Sequence, residues 1–456
     1  MKKIRIILAF LICIYLLTSL MACKSTIKDE NNSVNSETEN LSSDDINFEK
    51  TELMHVFEVD AAKLIKPTDG DYDFTAKVVA SSANDFAFKL GSILLKDIED
   101  ENFVFSPFAV WLPMAALVNA TYGKNKQELL HALSAEGISE TDVNNTASRV
   151  LYDLTKSRKV GGGIINSPLK IVNIIFVDIK ETLNKDFVQV YMDYFRGSSV
   201  NVDFSSHQAI DEVNRWVCDS TDGWITDLVT GFQPATVAVI ANAIYFSDDW
   251  DLQFDPEQTE EGVFHALGGE AKAMYMLRKD TVQLYYEDGK IQALPLIFGS
   301  GGGLYIMLPK SGNPADILST MTDEYFKNIQ ENSIQATGTL KLPRFSVENE
   351  ITGLKEALGK LGVPLFDENA SVLTGVIEGT SHIHLSEAIQ KTIIQVDENG
   401  TTAAASIYSG MPAGAYYIDP AKPFEMICDR PFVFILYDLT HDGGYQVLFT
   451  GIVNQP

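Results

Sequence analysis

The sequence has few cysteines for its length, four among 456 residues. Cys13 and Cys23 lie near the N-terminus, which leaves only Cys218 and Cys428 for the folded part. Two cysteines in so long a chain are not the disulfide framework on which small secreted domains depend. A single bridge between them is compatible with the sequence, but we expect two buried thiols.

The sequence also lacks the short motifs of the common enzyme classes, since no GxSxG, HExxH or paired-cysteine metal motif occurs. The glycine-rich run at 299–303 is followed by an apolar strand pattern, and not by Gly-Lys and a helix. It therefore predicts a turn and not a phosphate site. His382 and His384 have no third ligand nearby in the sequence, which favours a structural role over a metal site. We expect neither an enzyme nor a cofactor.

Basic residues are scarce, 35 against 62 acidic ones, which gives a net charge of −27. An acidic surface of this size repels nucleic acid and anionic membranes, so no nucleic-acid partner is expected. The apolar fraction of 45% and the charged fraction of 21% are ordinary for a globular protein. The charge therefore indicates solubility.

The longest hydrophobic run lies at the N-terminus and has the features of a secretory signal. Lys2, Lys3 and Arg5 precede the uncharged run IILAFLICIYLL, and LMAC then ends at Cys23. The small residue before this cysteine resembles a bacterial lipobox, which implies that residues 1–22 are removed and that Cys23 is lipidated. A plain signal peptide and an uncleaved anchor are the alternatives. All three place the rest of the chain outside the cytoplasm, either anchored at the cell membrane by a lipid or secreted.

The remaining chain divides into an N-terminal extension, residues 23–75, and one continuous domain, residues 76–456. Ser, Asn, Glu and Asp dominate residues 24–50, which predicts a flexible polar tether. Residues 51–75 are more apolar, and whether they dock on the domain is left open. Helical patterns cluster early in the domain and strand patterns dominate its second half. This order indicates an α+β fold with large, mostly antiparallel sheets.

Several elements have clear signals in the sequence. SPFAVWLPMAALVNATYG predicts a helix with Ser106 as its N-cap and Pro107 at its first position. ITGLKEALGKLG predicts a helix that stops at Gly362. LKIVNIIFVD and FVFILYDL predict strands.

Residues 398–415, ENGTTAAASIYSGMPAGA, combine small side chains with an absence of charge between Gly400 and Ile418. Alternate residues from Thr401 to Met411 would share one small, mostly apolar face, which suits burial in a sheet. The glycines and the proline of the same segment suit an exposed loop. Composition alone favours a surface loop, but a segment that suits both states is what a loop-to-strand switch requires.

Five motifs, in the correct order over about residues 80–454, resemble the serpin family. They are NFVFSPFAVWLPMAALVNATYG, VNRWVCDSTDGWITDLV, VIANAIYFSDDWDLQF with TEEGVFH just after it, VDENGTTAAAS and MICDRPFVFILYD. The resemblance implies the serpin fold: an α+β architecture with a large mixed β-sheet, helices and a mobile reactive-centre loop.

The resemblance also implies a monomeric inhibitor of a serine-type endopeptidase that acts as a suicide substrate. The protease attacks the loop and is acylated, and the freed hinge end then inserts as a new central strand. About 15 residues at roughly 3.3 Å each give a strand of about 50 Å, which drags the protease to the far end and disorders its oxyanion hole. The alternative is a non-inhibitory serpin that acts as an extracellular binding or chaperone-like protein, which would usually carry bulky or charged residues at the inward hinge positions.

The resemblance assigns roles to named residues. Its hinge consists of one glutamate and a run of mostly small residues: Glu398, Gly400, Thr401, Thr402, Ala403, Ala404, Ala405 and Ser406. The partner of the hinge glutamate falls on Arg344, and the tryptophan where insertion begins falls on Trp250. The polar cluster that lets the strands part falls on Ser106, Asn242 and Gln390. Since glutamine replaces a frequent histidine there and can still form hydrogen bonds, we expect a retuned cluster.

The position of the reactive bond depends on how it is counted. Counting from the hinge gives Gly414–Ala415, whereas counting back from the C-terminal motif lands about six residues further on. The count from the hinge is favoured because the length of the inserted strand fixes the distance from the hinge to the reactive bond. Glycine and alanine suit an elastase-like or subtilisin-like protease, and the two tyrosines that follow suit a chymotrypsin-like one. A cysteine protease is a further candidate that the sequence does not decide.

Overall fold

The computed structural model describes residues 46–50, 53–59, 72–98, 100–156, 158–160, 163–165, 167–221, 223–232, 236–351, 353–367, 372–379, 384–401, 423–440 and 444–456. None of the helices in these residues is long and apolar enough to cross a membrane.

Nine α-helices occur in these residues, six of them before residue 221. They are α1 (Tyr72–Leu94), α2 (Pro107–Leu117), α3 (Gly123–Ala132), α4 (Glu140–Thr155), α5 (Lys185–Phe195), α6 (His207–Ser220), α7 (Pro314–Ser319), α8 (Asp323–Glu331) and α9 (Leu354–Lys360). The predicted cap of α2 is confirmed, because the Ser106 hydroxyl accepts a hydrogen bond from the Ala109 amide at 3.3 Å. The predicted stop of α9 is also confirmed, since Gly362 follows it with a φ of 88°, which glycine adopts without strain.

Twenty strands occur in the described residues. They are β1 (Ile46–Lys50), β2 (Met54–Val59), β3 (Phe103–Phe105), β4 (Arg158–Val160), β5 (Gly163–Ile165), β6 (Leu169–Asp178), β7 (Gly197–Val202), β8 (Ala238–Phe246), β9 (Asp248–Asp249), β10 (Glu260–Ala266), β11 (Gly269–Glu287), β12 (Ile291–Ile297), β13 (Gly303–Pro309), β14 (Ile334–Pro343), β15 (Phe345–Glu350), β16 (Glu387–Val396), β17 (Gly400–Thr401), β18 (Phe424–Ile427), β19 (Phe432–Leu439) and β20 (Tyr445–Val453).

Two nine-stranded sheets dominate the fold. The first has the order β1-β2-β7-β6-β8-β16-β17-β9, with β15 also paired to β16. The second has the order β18-β14-β11-β12-β13-β19-β20-β3, with β10 paired to β11. Most neighbours are antiparallel, and the parallel pairs are β6–β7, β8–β16 and β14–β18. The predicted α+β fold with large, mixed and mostly antiparallel sheets is therefore confirmed.

The first sheet is covered on both faces. Ile240 and Ile244 of β8 belong to the main core, to which the wholly buried helix α2 contributes. Val239 and Ala241 of the same strand belong to a second core, shared with Val213 of α6. This alternation follows from the two-residue period of a strand. Around β8 the sheet is thus shielded from water on both sides, whereas along β16, next to the hinge, only the face towards the main core is buried and the residues of the opposite face are half-buried or exposed.

The N-terminal extension docks on the edge of this sheet. β2 pairs with β7 from Met54↔Val202 to Phe57↔Ser199, and β1 pairs with β2. Met54 and Val56 are 3% and 1% exposed and pack in the core that includes α6. The question left open for residues 51–75 is therefore answered for residues 53–59. The prediction of a flexible tether is wrong at residues 46–50, because the unpaired edge of β2 supplies backbone partners that composition does not reveal.

Candidate functional site: the hinge and the sheet-opening cluster

A buried carboxylate marks the start of the hinge. Glu398 is 4% exposed. The Arg344 Nε donates to both of its carboxylate oxygens, at 2.9 and 2.8 Å, and Nη2 donates to Oε1 at 2.6 Å. The Thr259 hydroxyl donates to the same carboxylate. The structure thus brings together Arg344 and Glu398, as the resemblance implied, and adds Thr259, which opens the motif TEEGVFH.

The protonation state of this pair follows from its contacts. Burial alone would raise the pKa of Glu398, but the hydrogen bonds from Arg344 and Thr259 outweigh burial, and the pKa lies below its ordinary value. The bond to Glu398 raises the pKa of Arg344. Both groups are therefore charged at neutral pH, and the hinge begins in a charge-assisted clamp.

The backbone of the hinge is held by the segment that follows β9. The Trp250 amide donates to the carbonyl of Asn399 at 2.7 Å, and the Trp250 indole Nε1 donates to the carbonyl of Asp397 at 2.9 Å. The Phe254 amide donates to the carbonyl of Glu398 at 3.0 Å. Trp250, predicted as the place where insertion begins, therefore contacts the hinge directly.

The next hinge residues form a short strand against β9. Gly400 pairs with Asp249 and Thr401 with Asp248. A Cβ atom at Gly400 would lie 2.0 Å from the carbonyl oxygen of Asp248, so only glycine fits there. The Thr401 side chain is fully buried and accepts a hydrogen bond from the Asp248 amide at 3.3 Å. Thr401, the first residue of the face that was predicted to be buried after insertion, is thus already buried in the closed sheet.

Asp248 carries an unusual charge state beside this strand. Burial, with a smaller contribution from the nearby Asp438, raises the pKa of its carboxyl to about 6, although hydrogen bonds from Ser300 and the Asp249 amide oppose the shift. A carboxylate beside a second buried acid is unfavourable, so the native protein prefers Asp248 protonated just below neutral pH.

Arg278 is a contributor that the sequence analysis missed. It is 8% exposed, its Nη2 donates to the carbonyl of Leu252, and its guanidinium lies 4.2 Å from the centre of the Phe254 ring. Burial lowers its pKa to about 10. It steadies the segment 250–254, which in turn holds the hinge. The signal in the sequence is one basic residue that ends the apolar run AMYMLR.

The predicted polar cluster is assembled beneath the junction of β8 and β16. Gln390 Nε2 donates to Asn242 Oδ1 at 2.7 Å and to the Ser106 carbonyl at 2.8 Å, and the Ser106 amide donates to Gln390 Oε1 at 2.9 Å. The Ser106 hydroxyl donates to the Leu448 carbonyl at 2.6 Å. All three predicted side chains are at most 1% exposed. Glutamine therefore forms the contacts that the expected retuned cluster requires.

The arrangement suits a conformational change more than a catalytic one. β8 and β16 are parallel and directly paired, from Val239↔Glu387 to Ile244↔Thr392. The clamped hinge follows the C-terminal end of β16. Parting two parallel strands exposes ladder groups on both of them, and polar side chains beneath can pair again where interlocked apolar ones cannot. Within the described residues no group of three side chains could hold a metal ion.

Several predicted residues lie outside the described residues. They are Cys23, His382, the hinge residues Thr402, Ala403, Ala404, Ala405 and Ser406, and the reactive bond Gly414–Ala415.

The two cysteines of the folded part are both buried. Cys428 is free and fully buried, so the bridge between Cys218 and Cys428 does not form. Cys218 is buried as well, and the expectation of a buried thiol is confirmed for Cys428.

Known proteins resemble this chain over most of its length. The family model described as serpin, serine protease inhibitor, matches residues 81–456. An antitrypsin of Bombyx mori is 29% identical, over 83% of this chain and 94% of its own. The crystal structure of Serpin48 of the insect Tenebrio molitor is 25% identical with a TM-score of 0.69, and the match covers 83% of this chain and 98% of that one. Human thyroxine-binding globulin is 22% identical with a TM-score of 0.71, over 84% and 99%. The chain belongs to the serpin family.

Proposed function

We propose that this chain inhibits a serine-type endopeptidase by inserting its cleaved reactive-centre loop into the first sheet while the protease is still bound as an acyl-enzyme. The observation that carries the proposal is the direct parallel pairing of β8 with β16, beside a hinge that begins at the end of β16. A strand that enters between them in the antiparallel sense would pair along both neighbours. The proposed reaction thus converts one parallel ladder into two antiparallel ones, which are slightly more stable per residue.

The face of the proposed strand fits the space that it would enter. Thr401 is already buried, and Ala403, Ala405 and Ile407 follow at the same alternation. On the core face of the sheet, side chains of this size can pack between the side chains of β8 and those of β16 without the overpacking that large residues cause. The sequence therefore supports inhibition over the non-inhibitory alternative, in which these positions are bulky or charged.

The first test is incubation with a panel of elastase-like, subtilisin-like, chymotrypsin-like and cysteine proteases, followed by a denaturing gel. The expected result is a band near the sum of the inhibitor and protease masses. The melting temperature of nicked inhibitor should also rise by well over about 10 °C, because the inserted strand completes two ladders and buries the Thr401–Met411 face. If every protease leaves only nicked chain with an unchanged melting temperature, the loop does not insert and a binding role, as the name of thyroxine-binding globulin suggests for that relative, becomes the better proposal.

The sharper test compares Ala403→Arg with Ala404→Arg. In the inserted strand residue 403 would face the packed side of the sheet, and an unpaired guanidinium there is unfavourable by several kcal/mol. Residue 404 would face the other way. The first variant should be cut rapidly without forming a stable complex, whereas the second should still inhibit. Equal behaviour of the two variants would contradict the proposed alternation.

We also propose that Cys23 carries a lipid that holds the inhibitor on the outer face of a cell membrane. The LMAC motif supports this, because a thiol at that position is the group that lipobox processing modifies. Cys23→Ala should abolish metabolic lipid labelling, and Cys13→Ala, which removes the other N-terminal thiol, should not. Equal labelling of both variants and the wild type would remove the lipoprotein proposal.

A further inference from the structure

Three carboxamides lie in one row across the centre of the first sheet. Asn242 of β8 is the register partner of Gln390 on β16 and of Asn173 on β6. Register partners point to the same face of a sheet, so all three side chains face the core that contains α2. Each of them is at most 1% exposed. Asn242 therefore has an amide neighbour on either side.

The hydrogen bonds in this row are unevenly distributed. Asn242 Oδ1 accepts from Gln390 Nε2 at 2.7 Å. On the other side, Asn173 Nδ2 and Oδ1 are both buried and neither has a hydrogen-bond partner among the described residues. A buried amide with no partner destabilises the state in which it is found. The closed sheet thus holds a polar group that a different arrangement of the same sheet could satisfy.

Opening the sheet between β8 and β16 would change which neighbour Asn242 can reach. A strand inserted there separates β8 from β16 by two strand spacings, about 9 to 10 Å, and the bond from Gln390 to Asn242 cannot survive that distance. β6 lies on the other side of β8, where the two strands are paired from Leu169↔Phe246 to Val177↔Ala238. That ladder is not interrupted by the insertion.

We propose that Asn173 receives the Asn242 side chain when the sheet opens, so that one amide–amide hydrogen bond replaces the one that insertion breaks. The proposal rests on the loop insertion proposed above and names a residue that affects the rate of insertion. Asn173 destabilises the closed sheet, where its amide has no partner, and stabilises the open sheet, where it has one. It is a positioning residue for insertion and does not touch the protease.

The test uses Asn173→Leu, an apolar substitution of the same branched shape, with Ser199→Ala as the control. Ser199 of β7 is also buried with an unpartnered hydroxyl, but its register partners are Ile175 and Phe57 and not Asn242. Both variants remove an unsatisfied buried group, so both should keep or raise the melting temperature of the uncleaved protein. Only Asn173→Leu should lower the melting temperature of the cleaved protein, by about 1 to 2 °C, and so narrow the difference between the two forms. Asn173→Ala serves as a second variant should leucine prevent folding.

Inhibition gives an independent measurement that a purely structural role of Asn173 would leave unchanged. Losing one neutral hydrogen bond on the insertion pathway should slow insertion by roughly fivefold, so more of the Asn173→Leu inhibitor should be released as nicked product for each complex formed. A double-mutant cycle with Asn242→Leu should show stronger coupling in the cleaved form, where the two amides are bonded, than in the uncleaved form, where they are only neighbours. Additivity in both forms would overturn the role of Asn173. Equal effects of Asn173→Leu and Ser199→Ala on the melting temperature of the cleaved protein would also overturn it. If the wild type itself gained no stability on cleavage, the insertion proposal would have failed, and the role of Asn173 with it; a wild type that gains stability while Asn173→Leu behaves like Ser199→Ala would overturn the role of Asn173 alone.

Discussion

Removing Arg344 is the most informative single perturbation of the hinge. The Arg344→Met variant keeps an unbranched apolar stem but deletes the three hydrogen bonds that the guanidinium donates to Glu398. The carboxylate is 4% exposed and would retain the Thr259 hydroxyl as its side-chain donor. Burial, which raises the pKa of Glu398, would then be opposed only by the hydrogen bonds from Thr259 and from the backbone.

The expected loss follows from the burial of the two partners. Removing one member of a fully buried ion pair lowers the free energy of unfolding by about 3 to 5 kcal/mol. The Arg344 side chain is 44% exposed, so solvent screens the pair and we expect about 2 kcal/mol. In a domain of this size that corresponds to a fall in the melting temperature of about 2 to 4 °C. Glu398→Gln should lower stability less, because water can solvate the guanidinium that remains and the amide can still accept from Thr259.

Thermal unfolding of the uncleaved protein at pH 7 and at pH 4 measures this difference. In the wild type the depressed pKa of Glu398 means that the ion pair stabilises the native state above the ordinary glutamate pKa, and that this contribution is lost as the pH falls through the lower folded-state pKa. In Arg344→Met the carboxyl readily takes a proton, so the deficit should be largest at pH 7 and should shrink towards pH 4. A deficit that does not change with pH, or a Glu398→Gln variant as unstable as Arg344→Met, would refute the assignment of the pair as a buried charge clamp.

Three further predictions concern other parts of the fold. The folded-state pKa of Asp248, about 6, lies above the ordinary value of 3.8, so this group makes the native protein more stable as the pH falls from about 7 to 4. Asp248→Asn should raise the melting temperature at pH 7 and flatten its pH dependence. An unchanged dependence of the melting temperature on pH would contradict this. Val56→Asp buries an unpaired carboxylate at a position that is 1% exposed and should lower the melting temperature by several degrees, whereas His55→Asp, whose half-buried side chain points to the other face of the strand, should have little effect. Burial raises the pKa of the Cys428 thiol well above its ordinary value, so a thiol reagent should label Cys428 in denaturant but not in the native protein.

Local patterns were sufficient to predict much of the secondary structure. β6 and β19 have the bounds that LKIVNIIFVD and FVFILYDL predicted, and the cap at Ser106 is where its side chain and the following proline placed it. These features depend on residues within one or two turns of each other, so the sequence contains all of the information. The contact between Arg344 and Glu398, 54 residues apart, is different, because only the family resemblance indicated it.

Pairings across the sheet could not be predicted because they depend on which strand edges remain available after folding. Residues 46–50 are polar enough to predict a tether, yet β1 forms because β2 has already extended the edge of β7 and leaves backbone groups unpaired. The role proposed for Asn173 could not be predicted for the same reason. Its amide is unremarkable within LKIVNIIFVD, and its meaning arises only when Asn242 lies on the next strand and Gln390 on the one beyond. Buried polar groups without a partner are few in native structures, and the explanation proposed above for Asn173 is a second arrangement of the sheet that pairs its amide. On that proposal the closed first sheet is one of two arrangements of the same strands, and the difference between them lies in side chains that no local pattern singles out.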